Sequence, residues 1–166
     1  MRIARWILIL LFILTALFQF GFNIIPSLAQ TDTDTQEAKS VVEAFLKDFW
    51  SWDLNSAVSK ISTRYHDISS DGKYESDYSK FIAVIESRMK VLSKKYIDNY
   101  ISNLQILKIE AQNDEVTIRV QYFLKRFNLE TAQNESVEPR NLFSLVKENG
   151  SWKITKWRWR GPVKKN

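Results

Sequence analysis

The sequence predicts an α+β domain, with helices first and an antiparallel sheet after them. Three observations carry this. Between residues 38 and 92 apolar side chains recur with a helical period. From residue 116 the period falls to two, and Val116, Ile118, Val120, Tyr122 and Leu124 alternate with Thr117, Arg119, Gln121, Phe123 and Lys125. Asn149-Gly150 then separates two strand-like runs, the sequence signature of a two-residue hairpin.

The first helix is predicted over residues 35–50. Asp34 and Glu37 have the spacing of a capping box, and Ala38, Val41, Val42, Phe45, Leu46 and Phe49 form one stripe. Asp53 is placed as the cap of a short second helix with Leu54, Ala57, Val58 and Ile61 inward. An extended stretch, residues 63–68, leads into the turn Ser70-Asp71-Gly72-Lys73. Ser76 or Asp77 caps a third helix whose stripe is Tyr78, Phe81, Ile82, Ile85, Met89 and Leu92, reaching about Tyr96. A strand over residues 104–111 precedes the long alternating strand across an Asn113-Asp114 turn, and further strands span 140–147 and 151–160. Val116, Ile118, Val120 and Tyr122 are expected to face Phe45, Phe49, Phe81 and Ile85. Phe123 and Phe127 then point the other way. With Trp157 or Trp159 they would make an outer apolar patch, and a homodimer through that face is expected.

Ahead of this domain, Arg2 and Arg5 precede an apolar run from Trp6 to about Leu17, and Ser27 and Ala29 follow Pro26 at the small positions a signal peptidase needs. The expectation is an exported protein, periplasmic or extracellular. It divides into a signal peptide (1–29), a polar linker (30–34), the domain (35–160) and a basic tail (161–166). An uncleaved anchor over residues 6–25 is the alternative. Loss of Arg2 and Arg5 leaves 22 basic against 19 acidic residues, too mild an excess to imply nucleic acid as a partner. There is no cysteine, so no disulfide framework and no thiolate metal site, which fits bacterial export. The chain has no Gly-rich phosphate loop, no His-x-x-x-His pair and no Gly-x-Ser-x-Gly elbow, and neither metal nor cofactor is expected.

Three pieces in this order carry a resemblance: residues 49–57, where the first two helices join; Ser70-Asp71-Gly72-Lys73-Tyr74 leading into the third helix; and residues 148–157, the last hairpin. In them the chain resembles the nuclear transport factor 2-like superfamily, also called SnoaL-like, over about residues 35–160. The resemblance implies a strongly curved sheet wrapped around the helices as a cone, a pocket at its open end and pairing of subunits through the outer sheet face. Its members include isomerases, dehydratases, cyclases, binding proteins and assembly modules, so the fold does not choose an activity.

Tyr65-His66-Asp67 is the cluster suited to acid–base work, and His66 is the sole histidine. On an extended segment neighbours alternate, so Tyr65 and Asp67 share one face and His66 takes the other. Tyr122 and Arg126 continue the inward parity of the long strand, which makes Tyr65, Asp67, Tyr122 and Arg126 the candidate ligand-binding set. Arg126 would hold an anion by a two-pronged contact. Trp157-Arg158-Trp159-Arg160 interleaves aromatic and basic residues, a pattern suited to anionic lipid headgroups or single-stranded nucleic acid, but the preferred reading is an ordinary terminal strand with tryptophans on one face and arginines on the other. Because the inward faces are otherwise apolar, the leading expectation is a non-catalytic domain that binds a small apolar or amphipathic ligand, or a protein partner, through the cone. The alternatives are a lyase or isomerase using Tyr65, His66 or Asp67 on a small carbonyl compound, and a membrane-anchored envelope assembly module.

Overall fold

A computed structural model describes residues 25–68, 75–112 and 114–160. The predicted signal or anchor up to residue 24, the 69–74 turn and the 161–166 tail lie outside the described residues. No helix among those described is long and apolar enough to cross a membrane.

The elements are α1 (Ile25–Trp50), α2 (Leu54–Val58), β1 (His66–Ile68), β2 (Glu75–Asp77), α3 (Tyr78–Lys95), β3 (Tyr96–Gln112), β4 (Glu115–Asn128), β5 (Gln133–Val137), β6 (Arg140–Glu148) and β7 (Ser151–Arg160). The chain divides into two units between Gln36 and Glu37, and the second holds α2, α3 and every described strand. α1 starts ahead of its predicted beginning: the 30–34 stretch is helical rather than a linker, and Asp34 does not cap. Neither glycine nor proline interrupts residues 27–50, and Pro26 sits in the first turn, where a missing N–H is harmless. The predicted cleavage point after Ala29 falls within this helix.

α1 ends where Trp52 takes φ 66, and the Asp53 carboxylate accepts the Ser56 N–H to start α2. Asp77 caps α3 by accepting the Lys80 N–H, and α3 stops where Tyr96 turns extended. The main sheet is antiparallel, in the order β3-β4-β6-β7, with β5 paired to the far end of β4; it does not close on itself. β1 and β2 form a separate two-stranded ribbon. A parallel bridge between Ile61 and Ile154 ties the chain after α2 to the edge of β7.

The β4 register is as predicted: Val116, Ile118, Val120, Tyr122 and Leu124 are at most 2% exposed and share one core with Phe45, Phe49, Phe81 and Ile85. Aromatic rings fill its middle. Phe45 and Phe49 each meet Trp157 edge-on with centroids 5.0 Å apart, and Phe143 stacks on Trp157 at 6.0 Å.

Two expectations about strands need correction. Trp157 is buried, and Trp159 shares its parity, so neither joins Phe123 and Phe127 on the outer face. The cause is a bulge. Leu145 pairs with Ile154 and Ser144 with Lys156, which leaves Thr155 as an extra residue that reverses the parity of everything after it. β3 starts directly after α3 rather than at residue 104, because Asp98 (φ 54) and Asn103 (φ 51) kink its first half and break the alternation.

Candidate functional site

β1 leaves the α2 connection alongside β7, and this placement orients the Tyr65-His66-Asp67 cluster. Tyr65 is buried, its ring stacked on Phe81 with centroids 3.8 Å apart, and its hydroxyl accepts the Trp157 N–H at 3.2 Å. Asp67 lies two residues on and grips Arg158. Its Oδ1 accepts from Nη2 at 2.7 Å and from Nε at 3.0 Å, while Nη2 also donates to the Ile68 carbonyl at 2.8 Å. These bonds from Asp67 raise the Arg158 pKa further. His66 takes the opposite, exposed side, with Nε2 2.8 Å from Oε1 of Glu75.

Tyr65 and Asp67 line one recess of about 200 Å3. Phe81, Ile85 and Trp157 give it a buried apolar lining, Val84 and Trp159 extend that lining outward, and Ser76 and Arg88 add polar groups. Ser76 is 2% exposed, and the hydrogen bond its hydroxyl donates is a long one, 3.4 Å to the Asp77 carbonyl. Arg88 is exposed, and among the described residues no carboxylate pairs with it. The sequence reading missed Ser76, Arg88 and Trp159 as lining. A signal for Arg88 existed: it stands seven residues after Phe81, so a cation occupies the apolar stripe of α3.

The other two predicted ligand residues are elsewhere. The Tyr122 hydroxyl lies deep in the core and accepts from Trp50 Nε1 at 2.9 Å and Asn141 Nδ2 at 3.3 Å, while Asn141 Oδ1 accepts from Trp157 Nε1 at 2.8 Å. Burial pushes the Tyr122 hydroxyl up to about 12. Arg126 stacks on the Tyr96 ring at 3.5 Å and donates Nη2 and Nε to Glu135 Oε2 at 2.9 and 3.1 Å. Asn128 and then Arg126 hold the Glu135 carboxyl below the usual carboxylate range. Arg126 therefore meets a carboxylate of its own chain, brought by β5, a strand the sequence reading did not contain.

The membrane-facing reading of the last strand loses two of its four residues on the same geometry, since Trp157 is core and Arg158 is engaged by Asp67. Two other recesses are present. One, about 490 Å3, lies between α1 and the kinked start of β3, against Trp50, Tyr100, Ile101 and Leu104, where the buried Asn99 Oδ1 has no hydrogen-bond partner among the described residues. The other, about 1420 Å3, is an open groove lined by both signs of charge, including Arg64, Glu110, Asp114, Glu115 and Lys147. Of these three recesses, the one of 200 Å3 contains members of the predicted cluster. Among the described residues no group of three or more His, Asp or Glu side chains could hold a metal ion.

No family model and no curated protein matches the chain. Solved structures do. A nuclear transport factor 2-like superfamily protein from Salmonella enterica serovar Typhimurium is 16% identical, over 82% of this chain and 96% of that one, with a TM-score of 0.61. A ketosteroid isomerase-like protein from Erwinia carotovora atroseptica is 15% identical, over 76% and 94%, at 0.59. A protein from Novosphingobium aromaticivorans, described as similar to nuclear transport factor 2 with a cystatin-like fold, is 11% identical, over 81% and 88%, at 0.60.

Proposed function

We propose that this domain, whose fold is that of the nuclear transport factor 2-like proteins, binds a small apolar or amphipathic molecule in the recess beside Tyr65 and Asp67 and does not transform it. One observation carries the reading. Each group suited to proton transfer is held by the protein itself: Asp67 by Arg158, the Tyr65 hydroxyl by the Trp157 N–H, and His66 turned to the far side. A general base must reach the proton it removes, and a carboxylate gripped by a guanidinium is a poor one. Apolar walls with a few polar groups suit binding. The volume is below the roughly 300–1,000 Å3 of pockets for drug-sized ligands, which favours a ring with a short chain.

A lyase or isomerase is the second reading, supported by Tyr65 and Asp67 sharing the recess. One titration and one assay separate the two. A small neutral fluorophore, 1-naphthylamine, is expected to bind with saturation and more weakly to Trp159→Ala. Conversion of a small carbonyl compound at a rate that Asp67→Asn lowers about a hundredfold would replace binding with catalysis.

Binding takes place outside the cytoplasm in this reading, which Arg2, Arg5 and the Ser27-Leu28-Ala29 sequence support. Intact mass of the protein from its native source is expected to begin at Gln30, and a mass that retains residues 1–29 favours the anchored form.

A further inference from the structure

We infer that the molecule taken by the recess is a small carboxylate, with its apolar body against Phe81 and Trp159 and its carboxyl group on Arg88. The inference rests on the binding reading and adds a charge to it. Among the recess residues Asp67 is the anion, and Arg158 already neutralises it at 2.7 Å. Arg88 is left over, with no carboxylate partner among the described residues. Among the described residues the recess therefore carries an excess of one positive charge beside an apolar wall. A cationic ligand would meet Arg88 while Asp67, the carboxylate among the described lining residues, is occupied. A neutral ligand would gain at most an ordinary hydrogen bond from it. An anion gains a charge-assisted contact, and the guanidinium fork matches the two oxygens of a carboxylate.

Ser76 supplies the second polar group. Its hydroxyl is almost wholly buried in the recess lining, yet its hydrogen bond at 3.4 Å is far longer than the roughly 2.7–2.8 Å typical of hydroxyl donors. A hydroxyl so loosely held can turn its proton to a ligand oxygen. The acid is a monoanion rather than a phosphate ester: one guanidinium and one hydroxyl balance one charge, and among the described residues the lining of the recess of about 200 Å3 has no second cation for a dianion.

The test is a pair of isosteric probes, 3-phenylpropionate and 3-phenylpropanamide, titrated calorimetrically into the purified protein and its Arg88→Gln variant. Arg88 is exposed, so the variant keeps the fold, and circular dichroism checks this. The carboxylate is expected to bind about tenfold more tightly than the amide, as one partly solvated charge-assisted contact allows. Arg88→Gln is expected to erase that preference, chiefly by weakening the carboxylate. Equal affinities in the unaltered protein, or a preference that survives Arg88→Gln, overturn the carboxylate inference while binding itself stands. If neither probe binds, the inference falls, and failure of the neutral naphthylamine dye as well takes the binding reading with it.

Discussion

At the scale of single residues, Tyr122 shows how a side chain can be rightly placed and wrongly employed. Alternation along β4 puts it inward, and it is 1% exposed. Its partners Trp50 and Asn141 lie 72 and 19 positions away, so no local pattern discloses them. The same holds for Arg126, whose inward parity was legible and whose Glu135 was not. Tyr122→Phe removes an acceptor and strands two donors in the core, and is expected to destabilise the protein by about 2 kcal/mol in urea titration. The loss should also depend on pH. The hydroxyl is raised from 10.0 to about 12, so the unfolded chain ionises first as pH rises. Its contribution is whole below pH 10 and disappears as pH climbs through about 12. A Tyr122→Phe variant whose alkaline destabilisation matches that of the parent contradicts this account. Of the predicted candidates, Tyr65 and Asp67 were findable together because their pairing depends on strand alternation alone.

At the scale of elements, legibility follows regularity. β4 alternates without interruption, and its register was readable residue by residue. The first half of β3 was not, because register shifts at Ile97/Tyr100 and Ser102/Gln105 spoil the period. The bulge at Thr155 misdirected the reading of the last tryptophans, and β5 is five residues with little apolar content. The last hairpin was readable because its chemistry is local: Asn149 and Gly150 both take positive φ, at 50 and 79. Backbone strain at two such places is measurable. A Cβ on Gly150 would meet nothing within 4 Å, so Gly150→Ala should cost about 1 kcal/mol through the backbone alone. Asn103→Ile forces a β-branched side chain into the left-handed region and should cost about 1–2 kcal/mol, while Asn103→Gly should cost nothing. Thermal unfolding reads both, and an Asn103→Ile protein as stable as its parent contradicts the kink.

At the scale of the molecule, the expected homodimer meets an electrostatic obstacle. Phe123 and Phe127 are half-buried on the outer sheet face as the parity required, but without Trp157 and Trp159 the apolar patch is smaller. Arg119 and Lys125 are exposed on the same face without carboxylate partners among the described residues. A two-fold contact there sets like charges against each other. Association through this face is therefore expected to strengthen as salt shortens the screening length from about 10 Å at 0.1 M to about 3 Å at 1 M. Light scattering across that range checks it; a dimer that weakens with salt, or a monomer throughout, contradicts this mode of pairing.

The kinks of β3 have a colloidal consequence. β3 ends the strand order, so one side of a 17-residue strand has no neighbour among the described strands. A flat free edge of that length is a template for an incoming chain and a seed for fibrous aggregates. The left-handed residues at Asp98 and Asn103 kink the first half of this edge and shift its register. Over the first half of β3 an incoming strand meets two kinks within six residues, so edge-to-edge growth is expected to be disfavoured there.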